Sequence, residues 1–343
     1  MRDRVIKTLV VSNAATSDPR EILCFRFLPK QVKLGYIGPK VPLLNLSILR
    51  IAIKYLRQYA SVYSSCNEWD VVISTSFLDG LGLSIFQLLG LKKRPKHVII
   101  DLQASMRKGV ILRSLLSIIL RSTSKIICFT TMQRNWWNSQ FGFNKAVFVP
   151  IGIADYRSVV LDNNEKDYVF SGGVSSRDYA TLVAAAEKIH VRFIVVAGKD
   201  AITRKTGLEG LILPQNIEFH YGLSFDQFTS MLNDSKLVVI PLKDVQYACG
   251  QIVLLQAFAA GKPVIVTKTA GIWDYVEDRK TAYFVSPGNP EELVTTILSL
   301  LNNRDLRKSL GRNARKMVET VFNAQEMAKN IFNVIEDALF ECK

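Results

Sequence analysis

Residues 238–271 read VVIPLKDVQYACGQIVLLQAFAAGKPVIVTKTAG, and this stretch decides the fold. An apolar run ends at Pro241, a polar loop follows, and residues 251–260 form a segment that is almost wholly apolar. Gly261 predicts the end of a helix there, and residues 264–267 form a second apolar strand. The order is therefore strand, loop, helix, strand. Strands without a polar face are typical of a parallel sheet that is covered by helices on both sides.

The same alternation continues on both sides of this stretch, which predicts the α/β class with doubly wound sheets. Segment 14–38 reads as irregular and basic. The predicted strands are 7–13, 69–75, 97–102, 125–130, 146–150, 168–171, 191–198 and 217–222. The predicted helices are 43–61, 78–91, 110–122, 132–141, 177–189, 225–234 and 324–340.

Two glutamines stand out in the apolar helix that follows the polar loop. Gln251 lies in its first turn, and Gln256 lies in its middle, where the helix has no polar face. A buried amide without hydrogen bonds costs about 1–3 kcal/mol. We therefore expect Gln256 to bond either a neighbouring backbone group or a ligand hydroxyl at the carboxyl edge of the sheet, where open α/β sheets bind ligands.

A second candidate site follows strand 168–171, where the chain continues as Gly172-Gly173-Val174-Ser175-Ser176-Arg177. Ser176 is the predicted N-cap of a helix whose first residue is Arg177. Glycine-rich turns at helix N-termini bind phosphate through backbone N–H groups. A cation in the first turn opposes the helix dipole at a cost of about 0.3–1 kcal/mol. Either a bound anion or a local acidic side chain is the expected partner of Arg177.

Several ordered segments resemble one family, the GT-B-fold glycosyltransferases of family 4, or glycosyl transferases group 1. Residues 256–264, QAFAAGKPV, resemble the second half of its donor motif, E-G-x-G-x-x-x-x-E-A-x-A-x-G-x-P-V. Residues 270–276 resemble G-G-I-x-E-x-V, and residues 281–288 resemble N-G-x-L-V-x-P-G. Residues 306–322 resemble R-x-x-x-G-x-x-A-R-x-x-V-x-x-x-F. Because the segments keep the family's order, the resemblance is specific.

This resemblance implies two Rossmann-like doubly wound domains that face a cleft. Residues 1–150 would bind the acceptor, residues 151–323 would bind the nucleotide sugar, and a C-terminal helix in 324–343 would cross back to the first domain. It also implies retaining, metal-independent transfer of a sugar from a UDP- or GDP-sugar to a glycan or lipid-linked acceptor. The alternatives on the same fold are a catalytically idle nucleotide- or glycan-binding protein and a nucleotide-sugar epimerase.

The family's two motif glutamates fall on Ala248 and Gln256 of this chain. Family members use the second to hold the donor ribose and the first to hold the donor sugar. The resemblance thus implies a ribose contact for Gln256, whereas Tyr247, Cys249 or Gln251 would have to replace the sugar contact.

Arg177 and the helix start at Gln251 are the expected catalytic groups, because a leaving diphosphate needs fixed dipoles and cations. The donor is a substrate, and no other cofactor is expected. The residues expected to contact the donor are Gly172, Gly173, Cys249, Gly250, Ile252 and Gln256.

Cysteine and histidine usage argues against disulfides and metals. The five cysteines are scattered without a C-x-x-C pair, which favours a reducing compartment. The three histidines lack metal-ligand spacing and no D-x-D motif occurs, so no metal site is expected.

The positive charge lies in the first half of the chain. Residues 1–150 hold 22 lysines and arginines against 7 acidic residues, a net charge of +15, whereas the whole chain carries +14. This favours an anionic membrane surface or a lipid-phosphate acceptor as partner; a basic face that serves solubility alone is the alternative. No nucleic-acid recognition module is present, so no nucleic acid is expected.

Residues 110–120 form the longest apolar stretch and are too short to span a bilayer. Flanked by arginines, this helix reads as a buried crossover helix or as a basic helix at a membrane interface. No signal peptide is visible. We expect a cytoplasmic location, or the inner face of a membrane.

Overall fold

The computed structural model describes residues 4–12, 18–38, 48–89, 95–101, 110–142, 144–154, 156, 165–197 and 212–340. The chain divides into two compact units, Met1–Pro150 with Ala324–Lys343, and Ile151–Asn323. Expectations that fall on residues 13–17, 43–47, 90–91, 102, 198 and 341–343 lie outside the described residues.

The first unit is built on a six-stranded parallel sheet with the order β2-β1-β3-β4-β5-β6. Its strands are β1 (Ile6–Val11), β2 (Val32–Ile37), β3 (Val71–Ser74), β4 (Lys96–Ile100), β5 (Lys125–Cys128) and β6 (Ala146–Phe148). Its first four helices are α1 (Ile48–Ser64), α2 (Phe77–Leu89), α3 (Val110–Ile119) and α4 (Thr131–Phe141). Each helix follows a strand, as the alternation of the sequence predicts.

Strand β2 corrects the prediction that segment 14–38 is irregular. It pairs with β1 along its whole length, from Ile6 opposite Val32 to Val11 opposite Ile37. The strand was missed because it is an edge strand with a single fully buried residue, Val32, and because Gly35 interrupts its apolar pattern. That glycine has a packing reason, since a Cβ there would clash with the Trp69 ring.

The second unit has its own six-stranded parallel sheet, with the order β12-β11-β10-β7-β8-β9. Its strands are β7 (Lys166–Gly172), β8 (Phe193–Ala197), β9 (Ile217–Tyr221), β10 (Ser235–Ile240), β11 (Val264–Thr267) and β12 (Tyr283–Val285). Its helices are α5 (Tyr179–Ala186), α6 (Phe225–Asp234), α7 (Gln251–Ala259), α8 (Pro290–Leu301) and α9 (Arg304–Thr320). The chain leaves β7 toward β8 on one side and returns to β10 on the other, so β7 and β10 flank the topological switch point.

Both faces of this sheet are buried, as the apolar strands predict. Val238 and Ile240 of β10 face a core that includes Phe170. Val239, between them, faces a second core that includes Phe193. The alternation of side chains along β10 thus supplies two apolar cores at once.

Helix α9 holds α7 in place against this sheet. A Cβ at Gly311 of α9 would clash with the carbonyl oxygen of Gly261, so the two backbones pack directly. Arg315, one turn further, donates from Nη1 to the carbonyl oxygen of Ala259 at the end of α7. Its guanidinium also lies 5.3 Å from the centre of the Tyr156 ring. These contacts explain the glycine and the second arginine of the pattern in residues 306–322.

The last helix, α10 (Ala324–Phe340), belongs to the first unit. It packs against β4 and β5 with a buried stripe that includes Met327, Ile331 and Ile335.

Candidate functional site

Three loops of the second unit meet at its topological switch point, beyond the carboxyl ends of three strands. The first loop (residues 173–178) follows β7, the second (residues 241–250) follows β10, and the third (residues 268–272) follows β11. The first two loops pair through their backbones: Lys243 N donates to Ser176 O at 2.9 Å, and Asp178 N donates to Pro241 O at 3.0 Å. The third loop lies against the second, because a Cβ at Gly271 would clash with the carbonyl oxygen of Tyr247. Open α/β sheets bind ligands at this position.

Arg177 lies in the first of these loops and is 4% exposed. Its Nε donates to the carbonyl oxygen of Gly172 at 2.9 Å, and its Nη1 donates to that of Ser175 at 2.9 Å. Within the described part of the chain, no carboxylate pairs with this guanidinium and Nη2 makes no hydrogen bond. Burial lowers the pKa of Arg177. Arginine nevertheless keeps its charge in proteins, so the loop contains a buried cation whose hydrogen-bond partners among the described residues are backbone carbonyls.

The structure corrects the predicted start of the helix that follows Arg177. The helix begins at Tyr179, and Asp178 is its N-cap. The Asp178 carboxylate accepts hydrogen bonds from Thr181 N at 3.2 Å and Thr181 Oγ1 at 2.6 Å. The prediction of Ser176 as N-cap was wrong, because Asp178 supplies a cap with two acceptor bonds two residues later. Arg177 therefore precedes the helix, and the expected cost against the helix dipole does not arise.

Gly173 allows the chain to wrap around the guanidinium. Gly173 has φ 121°, a conformation that side chains with a Cβ rarely adopt, and a Cβ there would clash with the Arg177 guanidinium. Tyr179 fixes the turn by donating from its hydroxyl to the carbonyl oxygen of Gly173 at 2.6 Å. The predicted glycine turn and Arg177 are thus parts of one structure.

The second loop ends at Gly250, which has φ 89° and is the N-cap of α7. Among the described residues no side chain caps this helix, so its first backbone N–H groups have no side-chain acceptor there. Cys249 is buried, and its burial raises the pKa of the thiol to about 11, which keeps it neutral. Ile252, in the first turn of α7, is exposed.

The two glutamines of α7 differ in their surroundings. Gln251 is buried and donates from Nε2 to the carbonyl oxygen of Gly271. Gln256 is half-buried, and its side chain makes no hydrogen bond to any residue that the structure describes. Gln251 is therefore engaged within the protein, whereas Gln256 has donors and acceptors that no described residue uses.

A further contact was not predicted. The hydroxyl of Tyr247 and Oγ of Ser176 share a hydrogen bond that joins the first two loops. The residues are 71 positions apart, so no local sequence signal points to this pair. Tyr247 is 40% exposed, in contrast to its neighbour Cys249.

Comparisons with known proteins show what the second unit is similar to. The model of the family described as glycosyl transferases group 1 matches residues 155–317. An uncharacterized glycosyltransferase of Methanocaldococcus jannaschii is 26% identical over 223 residues, which cover 63% of this chain and 60% of that relative.

Solved structures match almost the whole chain. Anabaena HepE, in a crystal structure described as a complex with UDP-glucose, superposes with a TM-score of 0.75 at 13% identity, covering 97% of this chain and all of HepE. Sucrose-phosphate synthase from Thermosynechococcus elongatus has a TM-score of 0.75 at 12% identity, covering 96% of this chain and 98% of the synthase.

The two parallel sheets and these superpositions define an α/β protein of the GT-B fold, which confirms the predicted fold class. The family model of glycosyl transferases group 1 matches most of the second unit, so the resemblance seen in the sequence is confirmed. In the described part of the chain, no helix is long and apolar enough to cross a membrane. The same residues contain no cluster of three or more His, Cys, Asp or Glu with metal-binding geometry.

Proposed function

We propose that this chain is a retaining glycosyltransferase that moves a sugar from a UDP- or GDP-sugar to a glycan or lipid-linked acceptor without a metal. The observation that carries the proposal is Arg177, a buried cation without a carboxylate partner among the described residues, at the switch point of the second unit. An uncompensated buried charge costs several kcal/mol, and a bound diphosphate supplies the missing negative charge. Support comes from the group 1 family match and from the UDP-glucose complex of HepE.

In this proposal the second unit, residues 151–323, binds the donor. Arg177, the turn at Gly172 and Gly173, and the uncapped start of α7 at Gly250 and Gln251 surround the diphosphate. When the bond between the anomeric carbon and the phosphate oxygen breaks, negative charge grows on that oxygen. Preorganised cations and backbone N–H groups stabilise such charge more than water does. Gln256 bonds the ribose, and Cys249 and Ile252 line the site near the helix start.

A second candidate is a catalytically idle protein that binds nucleotide or glycan. It is favoured by Ala248, whose side chain has no polar group, and by Gln251, whose amide is already bonded to Gly271. Incubation with a radiolabelled donor separates the two candidates. Release or transfer of the sugar supports the enzyme, whereas nucleotide binding without any turnover supports the idle protein.

Calorimetry with UDP and GDP in excess chelator tests the proposed donor site. We expect one of the two nucleotides to bind, with the same affinity before and after chelation. Binding that disappears with chelator would contradict the metal-free mechanism, and binding of neither nucleotide would contradict the proposed function. Proton NMR of the first-formed product gives the stereochemistry, for which we expect the anomeric configuration of the donor.

The first unit, residues 1–150 with the C-terminal helix, is proposed to bind the acceptor at an anionic membrane surface. Its segment 1–150 carries the net charge of +15. Helix α1 exposes Leu56 (57%) and Ile53 (41%) beside the exposed Arg57. Basic residues near an anionic bilayer contribute about 1 kcal/mol each, so four or five of them give reversible binding.

Co-sedimentation of the full chain with vesicles tests this partner. We expect binding to phosphatidylserine-containing vesicles and none to neutral ones. Binding should weaken in salt, since the Debye length falls from about 10 Å at 0.1 M to about 3 Å at 1 M. Leu56→Ser should weaken it further, whereas Leu298→Ser, at an exposed leucine of the second unit, should not. No binding to either vesicle would leave a soluble anionic acceptor as the partner of the basic segment.

A further inference from the structure

Three side chains next to Ala248 have the polarity to contact a sugar, and the structure separates them. Cys249 is buried and its thiol is neutral. Gln251 is buried, with its amide bonded to Gly271. Tyr247 alone presents both a polar group and an exposed aromatic ring at the carboxyl edge of the sheet.

The Tyr247 hydroxyl and Ser176 Oγ have hydrogen-bonding capacity left over. Each hydroxyl has one donor and two acceptor lone pairs. Their shared bond uses one donor and one lone pair, and neither group has another partner among the described residues. One O–H donor and three lone pairs therefore remain at the surface where the first two loops meet. An exposed ring with a few placed hydroxyls suits a polyhydroxylated ligand, which has apolar C–H faces and polar edges.

The position of the pair links it to the proposed donor. Ser176 is the residue immediately before Arg177, and the backbone of Ser176 is paired with the second loop through Lys243 N. The proposed diphosphate partner of Arg177 would therefore lie at the same loop junction as the pair.

We propose that the Ser176–Tyr247 hydroxyl pair contacts the sugar of the donor and sets the preference for that sugar; this proposal rests on the proposed function. It assigns to two loops the contact that Ala248 does not provide. Ser176 and Tyr247 are specificity residues in this proposal, whereas Arg177 holds the diphosphate.

Paired binding measurements test the proposal. Calorimetry first identifies which of UDP and GDP binds the parent chain more tightly. It then measures the affinity for the conjugates of that nucleotide with glucose, mannose and N-acetylglucosamine. Two variants remove the hydroxyls: Tyr247→Phe keeps the ring, and Ser176→Gly suits the left-handed backbone at φ 54°. We expect each to weaken the best nucleotide sugar by about 3- to 10-fold, the factor for one neutral hydrogen bond. The affinity for the free nucleotide should stay within about twofold.

Tyr221→Phe is the matched control, because Tyr221 is also 40% exposed but is the last residue of the edge strand β9 and belongs to none of the three loops. Its ratio of nucleotide-sugar to nucleotide affinity should equal that of the parent chain. Equal losses for nucleotide and nucleotide sugar in Tyr247→Phe would show that the pair only ties the loops together, and would overturn the proposal. Unchanged binding of every conjugate in both variants would overturn it as well. If the parent chain binds neither nucleotide, the proposed function itself fails, and that result is distinct from the other two.

Discussion

Two arginines of the second unit are equally buried but differ in how their charge is balanced. Arg177 is 4% exposed and Arg307 is 5% exposed. Arg307 lies in α9, where Nη2 is 3.1 Å from the Glu165 carboxylate and Nη1 donates to the carbonyl oxygens of Leu300 at 2.9 Å and Leu301 at 2.7 Å. Arg177 lies in a loop and bonds two carbonyl oxygens, with no carboxylate partner among the described residues.

We interpret the difference as that between a structural cation and a proposed binding cation. Arg307 ties the end of α8 to α9 and to the residue before β7, so its charge is compensated by the protein. Arg177 lies at the carboxyl edge of the sheet, where the proposed diphosphate would balance its charge. Because a buried charge is costly without a partner, the fold tolerates Arg177 at some expense of stability. Residues held at such expense are expected at functional sites.

The largest effect is expected from Arg307→Met. The substitution leaves Glu165 and two carbonyl oxygens without their partner, and breaking a buried ion pair costs about 3–5 kcal/mol. We expect a loss of about 3 kcal/mol in the free energy of unfolding, near the low end because Glu165 keeps some solvent contact. Urea denaturation measures this loss. Calorimetry under conditions where the variant is folded should give the nucleotide affinity of the parent chain.

Arg177→Gln should show the opposite pattern. Loss of hydrogen bonds to a charged group costs about 1.5–3 kcal/mol, so UDP or GDP should bind about 10- to 150-fold more weakly. The free energy of unfolding without ligand should change by about 1 kcal/mol or less, because the glutamine amide still donates to a carbonyl oxygen. The nucleotide affinity of Arg177→Lys should lie between those of the parent chain and Arg177→Gln, since lysine keeps the charge but lacks the planar fork of the guanidinium.

These two variants, measured with the same two assays, can break the comparison. If Arg307→Met weakens nucleotide binding as much as Arg177→Gln does, the charge balance of the two arginines does not distinguish their roles. If Arg177→Gln destabilises the ligand-free protein by several kcal/mol and leaves binding intact, Arg177 is a structural residue like Arg307.

The sequence could predict those features of the second unit that depend on local signals. The burial of β10 and the end of α7 at Gly261 follow from apolar runs and a glycine stop, because these signals are local. Gly311 and Arg315 were found as part of a pattern, but their reason, close packing on Gly261 and Ala259, needed the structure.

Arg177 was singled out for a reason that the structure overturned. The helix start was misplaced by two residues, and the carbonyl partners lie in the loop's own backbone, for which sequence carries no signal. The hydrogen bond between Ser176 and Tyr247 forms only because two loops meet, so the sequence could not predict it either. Strand β2 was missed because edge strands lack the buried pattern that identifies central ones.

A third buried basic group, His97 of the first unit, sharpens the comparison because it gives up its charge. His97 is fully buried, with Nε2 2.9 Å from Ser74 Oγ and Nδ1 3.3 Å from Ser84 Oγ. Burial lowers the pKa of His97 to about 3. The unfolded chain binds the proton near pH 6.5 and the folded chain only near pH 3, so the free energy of unfolding falls as the pH falls between these values.

His97→Gln should remove this pH dependence. In the parent chain the contribution of His97 amounts to a loss of about 2 kcal/mol between pH 8 and pH 5, from the linkage of the two pKa values. Urea denaturation of both proteins at the two pH values isolates this contribution, because other groups titrate alike in each. His190→Gln, at an exposed histidine, is the control and should keep the parent dependence. A parent-like dependence in His97→Gln would show that the ring is not held neutral.

The smallest effect is expected from the two glutamines of α7, which repeat the comparison within one helix. Gln256→Ala should weaken nucleotide binding by about 1 kcal/mol, the value of one neutral hydrogen bond to the ribose, with little change in stability. Gln251→Ala should instead lower the free energy of unfolding by about 1 kcal/mol, because its amide is bonded to Gly271. Calorimetry with UDP or GDP and with its deoxyribose analogue measures the first effect. The loss in Gln256→Ala should shrink with the analogue, since the missing hydroxyl no longer has a bond to lose. An equal loss with both nucleotides would place Gln256 away from that hydroxyl, and no loss with either would make it a packing residue of α7.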